Sequence, residues 1–451
     1  MKTKKVSMLD GPILPNIIRY TIPIILTSLL QVFYNAADLA IVGRFCGSLS
    51  VAAVGATGSI TNLILNLFIG LSVGSGVAVA HGIGCDNKKT VHRTVHTAVP
   101  AAIISGVVLT TVGVLLSNTL LQMMDTPENI LPLSTLYMRI IFCGSTFSMV
   151  YNFCSSILRA VGDTKSPLIF LSISGLINVL LNIIFVTVID MNVAGVALAT
   201  IISQAISAVL VVMALMKRQD ACKLVLKEMK IYKDELLRII KIGLPAGIQG
   251  SLFAISNVVI QSSVNSFGDI FVSGSSAASN LEGFVYVCLN SFHQTAVNFI
   301  GQNLGAKQHD RVKKIYWTCL GCVAFVGLFL GCTVRLFGRQ LLGIYITDSD
   351  LAITYGLIRI TYTCIPYFLC GMMDVTTGAL RGLGSSLPPM IISIIGVCGI
   401  RLFWVYTIFQ IPSLHSPECL FTSYTISWLT SFIIQLFVFL SLHKKISSTS
   451  V

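Results

Sequence analysis

Three carboxylates fall inside stretches otherwise apolar enough for a lipid bilayer: Asp38, Glu282 and Asp374. A charge at the centre of a membrane helix costs about 2.5–3.5 kcal/mol on insertion scales, so such groups face a cavity or a partner and tend to mark function. Gln31, Tyr34, Asn35 and Asp38 recur at i, i+3, i+4 and i+7. That spacing puts all four on one helical stripe, which on an apolar helix should line a cavity. The other placement for Asp38, given Gly43-Arg44 nearby, is a wet outer interface. A carboxylate facing a cavity binds a proton or Na+. Asn178 and Asn182 are also four residues apart and share a face. Their amide oxygens could complete a hard-cation site with Asp38, or the two amides could serve as helix–helix glue. No structural metal is expected; any Na+ at Asp38 would be transient.

The second half carries Glu282, His293, Asp374 and Arg401 at comparable depth. Glu282 and His293 are eleven residues apart, close to three helical turns, so one face can hold both, with Asn290 and Gln294 beside them. The readings are a satisfied hydrogen-bond network, or a proton relay or drug contact. Asp374 and Arg401 could form a structural ion pair, because intramembrane charges tend to pair, or serve with Glu282 and His293 as polar contacts for a substrate. Arg139 and Arg359 are expected nearer the outer interface. The thirteen cysteines are scattered through apolar spans. The Cys319/Cys322 pair has no second pair or nearby His, so it is read as two small hydrophobes.

The elements that must position these groups follow from composition. The chain has 451 residues, 54% hydrophobic and only 11% charged, against about 25% charged in a soluble domain. Apolar runs of about 20 residues recur, each enough to cross the bilayer core, and helices satisfy their own backbone there. We expect twelve spans, near 15–42, 52–80, 95–117, 132–157, 167–189, 193–216, 243–266, 272–302, 315–337, 352–379, 389–411 and 418–442. The fold class is all-α integral membrane, with two six-helix lobes, 1–216 and 242–451, related by a pseudo-two-fold axis along the membrane normal. The polar stretch 217–241 is expected as an amphipathic linker helix on the cytoplasmic surface, or as a solvated tether. Pro23 and Pro245 occupy matching places in spans 1 and 7. Such paired interruptions point to a binding region that bends during transport.

The formal net charge of +12 does not indicate nucleic acid. Lysines and arginines gather in alternate loops, among them Lys88, Lys89, Lys165, Lys307, Lys313, Lys444 and the Met1–Lys5 terminus. The opposite loops carry Asp125, Glu128, Asp190, Asp348 and Glu418. This positive-inside pattern places both termini in the cytoplasm. No A-x-A-like site follows the first apolar run, so no cleaved signal is expected.

The halves repeat each other. Ile17-Ile18-Arg19, Pro23 and Asn35 match Ile239-Ile240-Lys241, Pro245 and Asn257 at an offset of 222. Leu158-Arg159-Ala160-Val161-Gly162 matches Leu380-Arg381-Gly382-Leu383-Gly384 at the same offset. Duplicated bundles around a shared site are a common transporter plan.

On Pro23, Gln31, Asp38, Val42-Gly43, the paired Leu-Arg-x-x-Gly segments, Asn178 with Asn182, and Gln302-Asn303-Leu304-Gly305-Ala306, the chain resembles the multidrug and toxic compound extrusion (MATE) family over nearly its whole length. The resemblance implies two six-helix lobes around a V-shaped cavity. It also implies antiport of organic, often cationic drugs against Na+ or H+. Asp38 matches the family's span-1 carboxylate and Asn178 its span-5 asparagine. Asn182 stands where the family usually has aspartate, which lowers the charge of the site. Gln249-Gly250-Ser251 stands where some branches carry a span-7 glutamate. The expectation is therefore a non-enzyme, a monomeric cell-membrane antiporter with lipid around it and no cofactor. No GxxxxGK[ST] segment offers an ATP site. A lipid-linked saccharide flippase of related architecture is the nearest alternative, but depth acids outnumber depth arginines. An integral-membrane enzyme would need a motif such as HExxH or GxSxG, which is lacking. A channel would need a filter-like repeat.

Overall fold

The computed structural model describes residues 6–347 and 349–449. Lys2, Lys4, Lys5 and Asp348, counted above for charge, lie outside them. The described residues form no strands. In chain order the helices are α1 (Ile13–Phe45), α2 (Ser48–Gly84), α3 (Lys88–Gln122), α4 (Leu131–Cys143), α5 (Ser145–Ala160), α6 (Lys165–Ile183), α7 (Asn192–Met216) and α8 (Lys233–Asn265). They continue with α9 (Asp269–Gly305), α10 (His309–Leu336), α11 (Gly338–Gly343), α12 (Asp350–Thr363), α13 (Tyr367–Gly382), α14 (Leu387–Ser393), α15 (Ile400–Tyr406) and α16 (Pro417–Thr449). Wide π turns follow α6 at Ile184–Val188 and link α14 to α15 at Ile394–Gly399.

Among the described residues nine helical stretches are long and apolar enough to cross a membrane, and eleven if α4 with α5 and α12 with α13 each count as one bent span. Each pair bends by 44°. The breaks fall at Gly144 and at Cys364–Pro366. Pro366 lacks the donor a continuous helix needs. The twelfth expected span is α9, whose Glu282, Asn290, His293, Gln294, Asn298, Gln302 and Asn303 make it too polar for that test. The helices turn large apolar side chains outward: Phe325 is 72% exposed and Val188 76%. Such surfaces suit lipid rather than water.

The contacts divide the chain into two units. Unit 1 is Met1–Ser7 with Ile22–Ser251, and unit 2 is Met8–Thr21 with Leu252–Val451. The chain therefore passes from one unit to the other inside α1 and inside α8. Unit 1 packs around Val95, Ala98, Phe153, Ile157 and Val211 from α3, α5 and α7. In unit 2 a core forms from Ala278, Leu281, Leu342 and Ile360. Within unit 1, α2 and α8 cross on Gly70 and Gly74 against Gly243 and Gly247. A Cβ on Gly247 would lie 2.0 Å from the Leu67 carbonyl oxygen, and one on Gly74 2.2 Å from that of Ile239. Only hydrogen fits where backbones approach this closely, as in other small-xxx-small membrane crossings.

The expected surface helix over 217–241 does not form as one piece. α8 begins at Lys233, and the preceding segment holds only a short 3-10 turn, Leu226–Glu228. The segment docks on α3 instead. His96 Nε2 accepts from the Val225 N–H (3.1 Å) and the Thr97 hydroxyl from the Tyr232 N–H (3.1 Å). Cys222 and Leu224 are buried against the unit 1 core. Side chains of α3 thus satisfy backbone groups that a helix would have paired internally.

Candidate functional site

The α1 stripe lies on one side of a polar cavity of about 260 Å3 within unit 1. Gln31, Tyr34, Asn35 and Asp38 line it from α1, and Asn178 from α6. From α7 come Thr200, Ser203, Gln204 and Ser207. Asp38 is half-buried, while Asn178 and Asn182 are 4% and 0% exposed. Asn182 Nδ2 donates to Asp38 Oδ1 at 2.5 Å and to Asn178 Oδ1 at 3.2 Å. The Thr200 hydroxyl, 3.4 Å from Asp38 Oδ2, shares its one proton between that oxygen and the Val196 carbonyl oxygen at 2.9 Å, and is the acceptor, at 3.5 Å, for Asn178 Nδ2. Only neutral groups touch the carboxylate, and among the described residues no Lys or Arg pairs with it. The amide oxygen of Asn182 is buried with no partner. A half-turn of that amide would bring an oxygen where a donor now stands, so the cluster can present oxygens without backbone movement.

Thr200 is absent from the residues singled out above, yet its signal is in the sequence. Thr200, Ser203, Gln204 and Ser207 repeat the i, i+3, i+4, i+7 spacing of the α1 stripe on α7. The prolines lie inside continuous helices, Pro23 in α1 and Pro245 in α8. The Thr27 hydroxyl bonds the Pro23 carbonyl at 2.7 Å.

Unit 2 sorts its ionisable groups differently from expectation. Arg359 is not at a wet interface but 6% exposed. It grips Glu282 with two bonds of 2.8 Å, Nε to Oε1 and Nη2 to Oε2. The Thr363 hydroxyl also donates to Glu282 Oε1, and Arg359 Nη1 donates to Ser275 Oγ. This bidentate pair closes on itself, so Glu282 shares no relay with His293. His293 Nδ1 donates to the Asp374 carbonyl oxygen at 2.7 Å, and Nε2 accepts from Arg381 Nη1 at 3.2 Å. The two bonds hold the neutral Nδ1–H tautomer.

Asp374 does not pair with Arg401. Its charge faces Arg381, seven residues on along α13, where helical spacing puts both on one side. Asp374 Oδ2 is buried without a hydrogen-bond partner. Arg401 instead stacks over the Tyr424 ring, 4.0 Å from its centroid, and lies 5.6 Å from that of Trp428.

A histidine pair with a carboxylate, His92, His96 and Glu228, brings three ligand atoms within 4.8 Å. Both His96 nitrogens are already engaged, Nδ1 with the His92 carbonyl oxygen and Nε2 with Val225. The group therefore acts as the docking point of the linker.

Two sequence-related halves of membrane-length helices, with ionisable groups buried in polar networks, are the architecture of secondary transporters. The MatE family model matches residues 23–184 and 245–407, once in each half. The chain belongs to the MatE family. Its relatives include the probable multidrug resistance protein YpnP of Bacillus subtilis (strain 168), 29% identical over 399 residues, covering 88% of this chain and 87% of that one. The multidrug export protein MepA of Staphylococcus aureus (strain MSSA476) is 22% identical over 388 residues, 85% of either chain. The fold matches a crystal structure of MATE in the bent conformation with a TM-score of 0.91 at 20% identity, over 100% of both chains.

Proposed function

We propose that this chain is a secondary active antiporter of the cell membrane that exports small organic molecules in exchange for H+ or Na+. The observation that carries this reading is Asp38. It is a carboxylate in a polar cavity, held among the described residues by Asn182 and Thr200 and paired there with no Lys or Arg. A lone anionic group of this kind suits a small cation that comes and goes, since a permanent partner would leave nothing to exchange. The drug-export names of YpnP and MepA support organic cargo. In this reading the cation binds at Asp38 with Asn178 and Asn182, α1 bends near Pro23, and cargo affinity falls. Alternating access then follows from rocking of two bundles. The charge pattern supports both termini in the cytoplasm.

The test is efflux of ethidium from cells expressing the chain, with the Na+ and proton gradients collapsed separately. We expect efflux to stop with one of them. Efflux that survives both collapses refutes antiport. Asp38→Asn should express normally yet lose gradient-dependent efflux, and wild-type transport by that variant would move the coupling site elsewhere.

A further inference from the structure

Among the described residues, unit 2 buries three arginines, Arg359, Arg381 and Arg401, but only two carboxylates, Glu282 and Asp374. Glu282 holds Arg359 and Asp374 faces Arg381. Arg401 is 4% exposed, and among the described residues no carboxylate lies within ion-pairing distance of it. Among the buried groups, the unpaired positive charge therefore sits on this one guanidinium. Tyr424 covers its face, 4.0 Å from the ring centroid, so its N–H groups point away in the plane of the guanidinium. Of about five N–H donors on a guanidinium, two find protein partners: Nε with Ser427 Oγ at 3.1 Å, and Nη1 with Asn257 Oδ1 at 3.5 Å.

The internal repeat gives this place a meaning. Asn257 is the counterpart of Asn35, 222 residues on, and the same offset turns Asp38 into Ile260. From the paired Pro167 and Pro389, α6 runs regularly to Asn178. The second copy passes through the wide turn Ile394–Gly399 before Arg401. A π turn takes up about one extra residue, so Arg401 occupies the place of Asn178. The second copy of the coupling site thus keeps an amide, loses its acid and gains a base. π turns recur at functional sites.

We propose that Arg401, with Asn257, is an oxyanion site that takes the carboxylate of an organic molecule, its apolar body lying against Tyr424 and Trp428. A guanidinium edge matches a carboxylate in plane and in spacing, and aromatic walls favour an aryl carboxylate. Calling that carboxylate cargo rests on the transporter reading; the binding itself does not.

The test uses the full chain in lipid nanodiscs with 7-hydroxycoumarin-3-carboxylate as fluorescent probe. The wild type should bind the probe, reject its neutral ethyl ester and release it to benzoate. Arg401→Gln should weaken binding by about tenfold or more, the scale of a charge-assisted pair. Asn257→Asp sets a carboxylate beside the guanidinium and should weaken it similarly. This variant decides the matter should Arg401→Gln fail to fold. No binding by the wild type, equal binding of the ester, wild-type affinity in both variants, or displacement by phosphate but not benzoate would each overturn the proposal. Gradient-dependent ethidium efflux by the wild type reads the antiporter proposal separately, so either can fail alone.

Discussion

At the scale of single residues, unit 2 contrasts a completed pair with an incomplete one. Arg359 and Glu282 satisfy each other through two bonds and share Ser275 and Thr363. Removing one member leaves a buried charge alone. Arg359→Met should therefore destabilise the protein by about 3–5 kcal/mol, whereas Arg359→Met with Glu282→Leu should recover most of that loss. Thermal melting of the detergent-solubilised variants checks this; equal melting of single and double variants would mean that the pair is not electrostatically coupled. Partners of this kind are where sequence reading reached least far. The stripe Gln31–Asp38 was legible because four polar residues at helical spacing stand out in an apolar run. Arg359 was misjudged because depth within a span is not written in its position. The pairing of Asp374 with Arg401, across two helices, overlooks Arg381, which helical spacing puts on Asp374's own side of α13. Thr200 was missed because hydroxyls blend into apolar helices, where they bond the preceding turn, as Thr200 also does with Val196.

At the scale of elements, the α2–α8 crossing depends on the absence of side chains. Gly247→Ala forces a methyl onto the Leu67 carbonyl. It should lower stability by at least about 1–3 kcal/mol, the range for overpacking, as read by the melting temperature. A second prediction concerns the linker. His96→Ala strips the part-buried Val225 N–H of its acceptor, which costs at most about 1–3 kcal/mol, the penalty of a fully buried orphan. The segment should then be cut faster by trypsin at Lys223 and Lys227, with efflux as the independent readout of folding. Unchanged cutting would show that His96 does not hold the segment. Apart from α9, with its many polar residues, the helical spans were legible from apolar length alone. The bends were not, although Gly144 and Pro366 are themselves 222 residues apart. The π turns were not either, since widening one turn needs no particular residue. Of the two readings of the linker, the surface helix rested on Leu224, Leu226 and Met229 repeating at partly helical spacing. What decides its form is the acceptors waiting on α3.

For the whole molecule, the partition into units does not follow the gene. Residues 8–21 complete unit 2, while the start of α8, up to Ser251, completes unit 1. Each half of the sequence thus lends part of its first helix to the other half's fold. A gene split between Met216 and Lys217 should give two polypeptides that co-purify and together restore efflux, while either one expressed alone is degraded. Stable accumulation of the N-terminal fragment by itself would contradict this. The same reciprocity bears on ancestry. A half-length chain that kept this arrangement would leave its own bundle short of a first-helix segment until two copies traded them.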